Sequence, residues 1–205
     1  MSAKEIRAHL CEVRAAPEDS GGILFSGYTA KFGVWSEDLG GFREQIAPGA
    51  FAEAVHEDDV RCLLNHNPDR VLGRTTSGTL RLIEDAVGLR FEVTAPDVGW
   101  VRDLRESVKR GDIDQCSFAF IAVEEEWQWA QPGSGQLDER TVQKARLRDV
   151  SIVTYPAYID TEASVRSAQN VRDTARDAAR EKAEKIRKNN IDMMRRKLAL
   201  KEKEW

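Results

Sequence analysis

Hydrophobic and polar positions alternate in short runs over the first three quarters of the chain, then thin into a long charged stretch. Ile23–Val34 is rich in residues that suit strands and is broken by Gly27 and Gly33, the pattern of a bent or bulged strand. Val60–Leu64 is a short apolar run that gives way to Asn65-His66-Asn67-Pro68, a strand entering a turn. Thr79–Ile83 and Leu89–Val93 flank Glu84-Asp85-Ala86-Val87-Gly88 and predict a hairpin with a glycine-containing loop. Ile113–Val123 sets Phe118 and Phe120 on one face and Ser117, Ala119 and Ile121 on the other. Arg146–Val153 is a further strand, stopped by Tyr155-Pro156, and Ala130–Glu139, which holds Pro132, Gly133, Ser134 and Gly135, reads as a mobile surface loop.

Two helices interrupt the strands. A short one is expected over Pro48–His56, started by Pro48. A longer one runs from about Asp97 to Arg110, with Asp97 as its cap, Val98, Val101, Leu104 and Val108 on one face, and Gly111 at its end. Short strands with two helices predict a mainly β (α+β) fold, an antiparallel β-barrel or sandwich with peripheral helices. From Ala163 to Lys203 the sequence contains no Gly or Pro and is dominated by Ala, Arg, Lys, Glu and Asp, so a C-terminal helical tail follows. Its apolar positions (Val165, Val171, Ala175, Ile186, Met194 and Leu198 among them) are too sparse for a core of their own. The tail is read as a solvated helix or partly disordered extension, against the sharper alternatives of a docking helix or a segment meant to be removed.

Charge makes the division explicit. The 205 residues carry a net charge of −4. Residues 161–205 hold 13 basic and 8 acidic residues, whereas residues 1–160 hold 18 basic and 27 acidic ones, and every Gly and Pro lies before residue 161. The expected domains are therefore an acidic body, 1–160, and a basic tail, 161–205. No stretch approaches the roughly 18 apolar residues of a membrane span, so no membrane partner is expected. The opening MSAKEIRAHL has no apolar core, so no secretory signal is expected either. Cys11, Cys62 and Cys116 are an odd set at spacings that argue against disulfides. Nucleic acid is a poor partner for the tail, because acidic residues interleave its basic ones and no aromatic platform accompanies them.

Three histidines are available for chemistry. His9 lies in a strand-like stretch and His56 at a helix end beside Glu57, Asp58 and Asp59; both read as surface residues. His66, delivered by a strand and framed by Asn65 and Asn67, is placed either as a general base or as a plain turn histidine. Cys62 and His66 do not make a zinc site: four residues apart on a strand they sit about 13 Å from one another, and no second pair accompanies them. No cofactor or metal is expected. Nucleophile candidates centre on Gln115-Cys116-Ser117-Phe118, where Cys116 and Ser117 face opposite ways. There is no Gly-x-Ser-x-Gly elbow and no phosphate-binding glycine loop, so Ser117 on its own reads as a buried strand serine as readily as a nucleophile.

Longer motifs carry a resemblance. Gly27-Tyr28-Thr29-Ala30-Lys31-Phe32-Gly33, Ile46-Ala47-Pro48-Gly49-Ala50-Phe51, Leu63-Leu64-Asn65-His66-Asn67 and Leu72-Gly73-Arg74 occur in that order. Gly78-Thr79-Leu80, Gly88-Leu89-Arg90-Phe91, Ser117-Phe118-Ala119-Phe120 and Asp149-Val150-Ser151-Ile152-Val153-Thr154-Tyr155-Pro156-Ala157-Tyr158 follow. The set, spanning about Leu24 to Tyr158, resembles the prohead (capsid-maturation) serine proteases of tailed bacteriophages, which share a fold with the herpesvirus assemblins. Cys116 stands where many relatives have a smaller residue, and the tail lies outside the resemblance. The resemblance implies a serine endopeptidase in which His66 activates Ser117 and Asp149 orients His66. Read without it, Asp149 is a strand-end carboxylate paired with Arg146 or Arg148. The resemblance further implies that major capsid protein and scaffold segments are substrates, with self-cleavage and self-association, inside the immature head in the host cytoplasm. The alternative from another class is a non-catalytic capsid-assembly or scaffolding protein that keeps the barrel.

Overall fold

A computed structural model describes residues 4–10, 13–17, 21–155 and 162–201. Pro156, Ala157 and Tyr158, the end of the closing-strand motif, and Cys11 lie outside the described residues. The strands are β1 (Glu5–Leu10), β2 (Arg14–Pro17), β3 (Ile23–Lys31), β4 (Phe42–Ile46), β5 (Arg61–Leu64), β6 (Asn67–Arg74), β7 (Leu80–Glu84), β8 (Gly88–Ala95), β9 (Gln115–Gln128) and β10 (Asp138–Val153). The helices are α1 (Ala54–Glu57), α2 (Gly99–Arg110) and α3 (Glu162–Lys201). No helix among the described residues is long and apolar enough to cross a membrane.

Two sheets pack face to face. One has the order β1-β9-β10-β5-β6 with β4 also paired to β10; the other runs β2-β3-β8-β7. β9 and β10 are longer than their apolar runs suggest and form one antiparallel hairpin. The far edge of β10 serves two partners in turn: its first residues pair with β4 and its last with β5, both in parallel. The expected β-barrel is not found among the described residues, and the sheet is mixed rather than wholly antiparallel because of those two parallel pairings. The core lies between the sheets. Phe25, Leu89, Phe91 and Val93 from one sheet meet Cys62, Phe118, Phe120, Val150 and Ile152 from the other. Phe51 inserts edge-on to Phe118, with ring centroids 5.7 Å apart. Gly88 opens β8 where a Cβ would stand 1.9 Å from the Ala30 carbonyl oxygen, so only glycine fits there.

The helices depart from their sequence signals in instructive ways. Only Ala54–Glu57 is helical in the Pro48 region, because the Glu84 carboxylate accepts the amides of Gly49 (2.5 Å) and Phe51 (3.0 Å) and holds this stretch as turns. Asp97 does not cap α2; Val98 occupies the cap position, and Asp97 instead pairs with Arg102 at 3.0 Å. Val101, Leu104 and Val108 form the expected buried face and Gly111 ends the helix left-handed, but Val98, expected on that face, is exposed at the cap. α3 is tied to the body at its start. Ala168 is buried against Leu39 and Phe42, the Arg172 Nε meets Asp138 Oδ2 at 2.7 Å, and Arg176 stacks over the Trp129 ring. Residues 181–196 are exposed throughout. The segment expected as a loop thus contains Asp138, the first residue of β10 and an anchor for α3.

β1 is fastened to the sheet by a buried cluster of charges. Arg140, 1% exposed, binds Glu5 through both Nη atoms (2.6 and 2.9 Å), Glu44 at 2.5 Å, and Glu125. Arg7 closes the cluster on Glu44 (2.9 Å) and Glu5 (2.7 Å). Burial pushes the Glu44 carboxyl up, but the guanidiniums of Arg7 and Arg140 outweigh it and hold it below the usual carboxylate range. A network of this kind is strongly destabilising to break, since each orphaned charge stays buried. Arg140→Ala is expected to cost about 3–5 kcal/mol, read as a lowered urea midpoint; a midpoint near that of the parent protein would show that the cluster is not holding β1.

Candidate active site

β5 and β6 form a hairpin in which Leu64 pairs with Asn67, leaving Asn65 and His66 as a two-residue turn. Both have positive φ, 55° and 53°, as a type I′ turn requires. Such turns favour Asn followed by Gly, so His66 occupies the position where glycine is least strained. A non-glycine residue held there costs on the order of 1 kcal/mol or more and persists only where its surroundings fix it. Asn65 does the fixing. Its amide donates to the Ile152 carbonyl (2.9 Å), its Oδ1 accepts from the Thr154 amide (2.8 Å), and its Nδ2 reaches Thr154 Oγ1 (3.2 Å). The turn is therefore pinned to the end of β10. Pro68, which reads as a stop signal in the sequence, instead lies in β6, an edge strand that can spare a backbone donor.

Ser117 and Asp149 come from the neighbouring strands. In β9, Cys116, Phe118 and Phe120 enter the core and Ser117 faces the opposite side, so Cys116 is a core residue. In β10 the pairing with β9 slips between Leu147 and Asp149, a one-residue bulge at Arg148. Leu147 and Val150 both face the core, three residues apart, and this odd spacing is what the bulge provides. Without it Asp149 would follow Leu147 into the core; with it Asp149 and Ser151 stand on the face that carries Ser117. Ser151 pairs directly with Ser117 across the ladder. The strand order β9-β10-β5 then leaves His66, at the tip of the β5–β6 hairpin, to reach over β10 to Ser117.

The three residues singled out in the sequence meet. His66 Nε2 is 2.7 Å from Ser117 Oγ, and His66 Nδ1 is 2.5 Å from Asp149 Oδ1. Asp149 Oδ2 accepts from Lys4 Nζ at 3.2 Å. Asp149 therefore pairs with His66 and Lys4, while Arg146, one of the partners the sequence suggested for it, goes to Glu57 and Asp58. Burial pushes the Asp149 carboxyl up, yet His66 and Lys4 together bring it below the usual carboxylate range. An ionised Asp149 selects the tautomer in which Nδ1–H donates to Oδ1, which leaves the Nε2 lone pair facing Ser117. Ser117 has no exposed surface, and its hydroxyl is also within reach of the Arg7 carbonyl (2.9 Å) on β1, which runs alongside.

Two participants escaped the sequence reading. Lys4 carried no local signal. Ser151 had one, the Asp-x-Ser spacing that puts both side chains on one face of a strand, and its hydroxyl donates to Asp149 Oδ1 at 3.1 Å. His56 is exposed at the end of α1, away from this cluster. Among the described residues no group of three or more His, Cys, Asp or Glu is placed to hold a metal ion. Cys62 packs in the core, where burial and the Asp149 charge push its thiol well up from its ordinary range.

Two measurements check this geometry. Asn65→Ala removes the side-chain clasp and puts a poorer residue at positive φ, so a loss of about 1–3 kcal/mol is expected in urea unfolding; no change would mean that the turn does not depend on Asn65. Asp149 has a folded pKa below its unfolded value of about 3.9, so its stabilising effect is complete above that value and fades as pH falls through the lower one. The stability gap between the parent and Asp149→Asn should accordingly narrow from pH 6 to pH 3; a constant gap would contradict it.

A family model described as the Caudovirus prohead serine protease matches residues 11–176, a span that takes in every strand from β2 to β10 and the first turns of α3. No curated protein matches the chain. Among solved structures, the bacteriophage T4 capsid assembly protease, gp21, aligns with a TM-score of 0.41 at 12% identity, covering 73% of this chain and 98% of that one. That likeness is too loose to carry weight; the family match, over most of the chain, is not. The chain belongs to the caudovirus prohead serine protease family.

Proposed function

We propose that the protein is a serine endopeptidase of capsid maturation in which Ser117 is the nucleophile, His66 the general base and Asp149 the residue that orients His66. The observation that carries this reading is the unbroken hydrogen-bonded chain from Ser117 Oγ through both His66 nitrogens to Asp149 Oδ1. His66 Nε2 takes the Ser117 proton as Oγ attacks the scissile carbonyl; the imidazolium that forms is held by ionised Asp149. The same Nε2–H then protonates the leaving amine, and His66 next draws a proton from the water that hydrolyses the acyl-enzyme. A protein that used this fold only as scaffold would have no need of a histidine in the glycine position of a tight turn, held 2.7 Å from a buried serine.

A prohead protease implies capsid proteins as substrates; in this reading major capsid protein and scaffold segments are cleaved, with the chain itself as a further substrate, inside the immature head in the host cytoplasm. In this reading residues 1–160 carry the chemistry. The tail, 161–205, is an appendage anchored by its first turns, its exposed basic stretch left for docking or removal. Ser117→Ala should give a folded protein and abolish processing of a co-expressed capsid protein, and Asp149→Asn should slow it by about 10⁴-fold. Processing that continues unchanged in Ser117→Ala would overturn the assignment.

A further inference from the structure

Asp149 Oδ1 accepts two donors, and only one of them belongs to the triad. The second is the hydroxyl of Ser151, 3.1 Å from Oδ1 and 3.2 Å from His66 Nδ1, with the residue 1% exposed. Ser151 stands directly opposite Ser117 in the β9–β10 ladder and two residues beyond Asp149 on the same face of β10. Water does not compete for a hydroxyl so buried, so its single proton must go to one of these two neighbours.

The choice has consequences for the site. Donation to Nδ1 would require the tautomer whose Nε2 carries the hydrogen, and Nε2 could then accept nothing from Ser117. Donation to Oδ1 leaves Nδ1–H to the carboxylate and the Nε2 lone pair to Ser117. An ionised carboxylate is the stronger acceptor, so the second arrangement wins. Oδ1 is then fixed by two donors and Oδ2 by Lys4, and the carboxylate plane cannot turn away from the imidazole. The charged and titratable groups around Asp149 are few. Lys4 precedes β1, and His66 comes from the β5–β6 turn; Arg61, the register neighbour in β5, turns to Asp59, and Cys62 lies on the core side. No other described group replaces the Ser151 proton on Oδ1.

We propose that Ser151 is a positioning residue of the catalytic centre: its hydroxyl locks the Asp149 carboxylate in the orientation that keeps His66 in its productive tautomer. The proposal rests on the serine-protease reading above. Ser151 takes no proton during turnover and touches neither substrate nor the attacking oxygen; it acts through Asp149. Removing it frees Oδ1 of one donor, so the carboxylate turns more readily and holds the Nδ1–H tautomer less firmly. Activity falls.

The test is the second-order rate of labelling by an alkyl fluorophosphonate across pH 5–9, in the full chain and in Ser151→Ala, Ser151→Thr and Ser117→Ala. Ser151→Ala should keep the parent melting temperature and label about tenfold more slowly. Ser151→Thr, which restores the hydroxyl, should recover the rate. A parent-like rate in Ser151→Ala would overturn the proposal. So would a slower rate that Ser151→Thr does not rescue, since that is the signature of packing alone. Loss of labelling in Ser117→Ala keeps the protease reading intact in either case, whereas labelling that survives it would overturn that reading as well.

Discussion

The pairing of β10 is the constraint on which the rest of the structure depends. One strand must satisfy β9 along its whole length on one side and, on the other, β4 and then β5 in parallel. Its inward residues must meet the core while its outward residues carry a carboxylate and a hydroxyl. A regular alternation starting from Leu147 would turn Asp149 inward. The bulge at Arg148 changes the parity, so that Val150 and Ile152 fill the core and Asp149 and Ser151 reach the site. Both demands are met by the one residue inserted at Arg148, one of several places where the β9–β10 register shifts.

The same strand ties the site to the charge cluster at the other end of the sheet. Arg140 lies nine residues before Asp149 and binds Glu5 of β1, while Lys4, one residue before Glu5, binds Asp149. Glu5 of β1 is therefore held by a buried guanidinium and the residue before it by the carboxylate of the candidate triad, with the Arg7 carbonyl beside Ser117 two residues after Glu5. The candidate site and the packing of β1 are linked: a change that loosens Glu5 or Arg7 also bears on the surroundings of Ser117. Exposed ion pairs such as Arg74 with Asp59 contribute far less, because water screens them.

Much of this was legible in the chain, for identifiable reasons. The alternation around Phe118 and Phe120 gave the face of Ser117, because a period of two is the strongest signal a strand has. The β7–β8 hairpin, the buried face of α2 and the helical tail were equally plain. What was hidden depended on pairing. Nothing local in Arg148 announces a bulge, and the β5–β6 hairpin was masked by Pro68, which looks like a terminator until β6 is known to be an edge. Asp97 looked like a cap because its type suits that role, but Arg102 offers it an ion pair instead. Glu84 replaced the first turn of the expected Pro48 helix from a strand more than thirty residues away. The candidate site residues stand out through motif order rather than through chemistry, since a serine, a histidine and an aspartate scattered over 84 residues carry no local mark.

The strained turn shows how the parts answer one another. A glycine at position 66 would suit the type I′ geometry, but a glycine has no imidazole. A histidine in a longer, relaxed loop would be free to leave the serine. Placing the histidine in a two-residue turn confines its Cα, and the left-handed backbone aims its ring across β10 rather than along the hairpin. Asn65 tolerates positive φ better than most residues and uses its side chain to bind Thr154, so the strain at His66 is opposed by three hydrogen bonds at the neighbouring position, one to Ile152 of β10 and two to Thr154 just past its end. The carboxylate that receives the imidazole sits on that same strand, three residues before Ile152, where the Asn65 amide is anchored. Because β10 supplies both the anchor and the acceptor, motion of the hairpin relative to the strand would break the clasp and the His66–Asp149 contact together, and the distance from His66 to Asp149 is set by one rigid element instead of two.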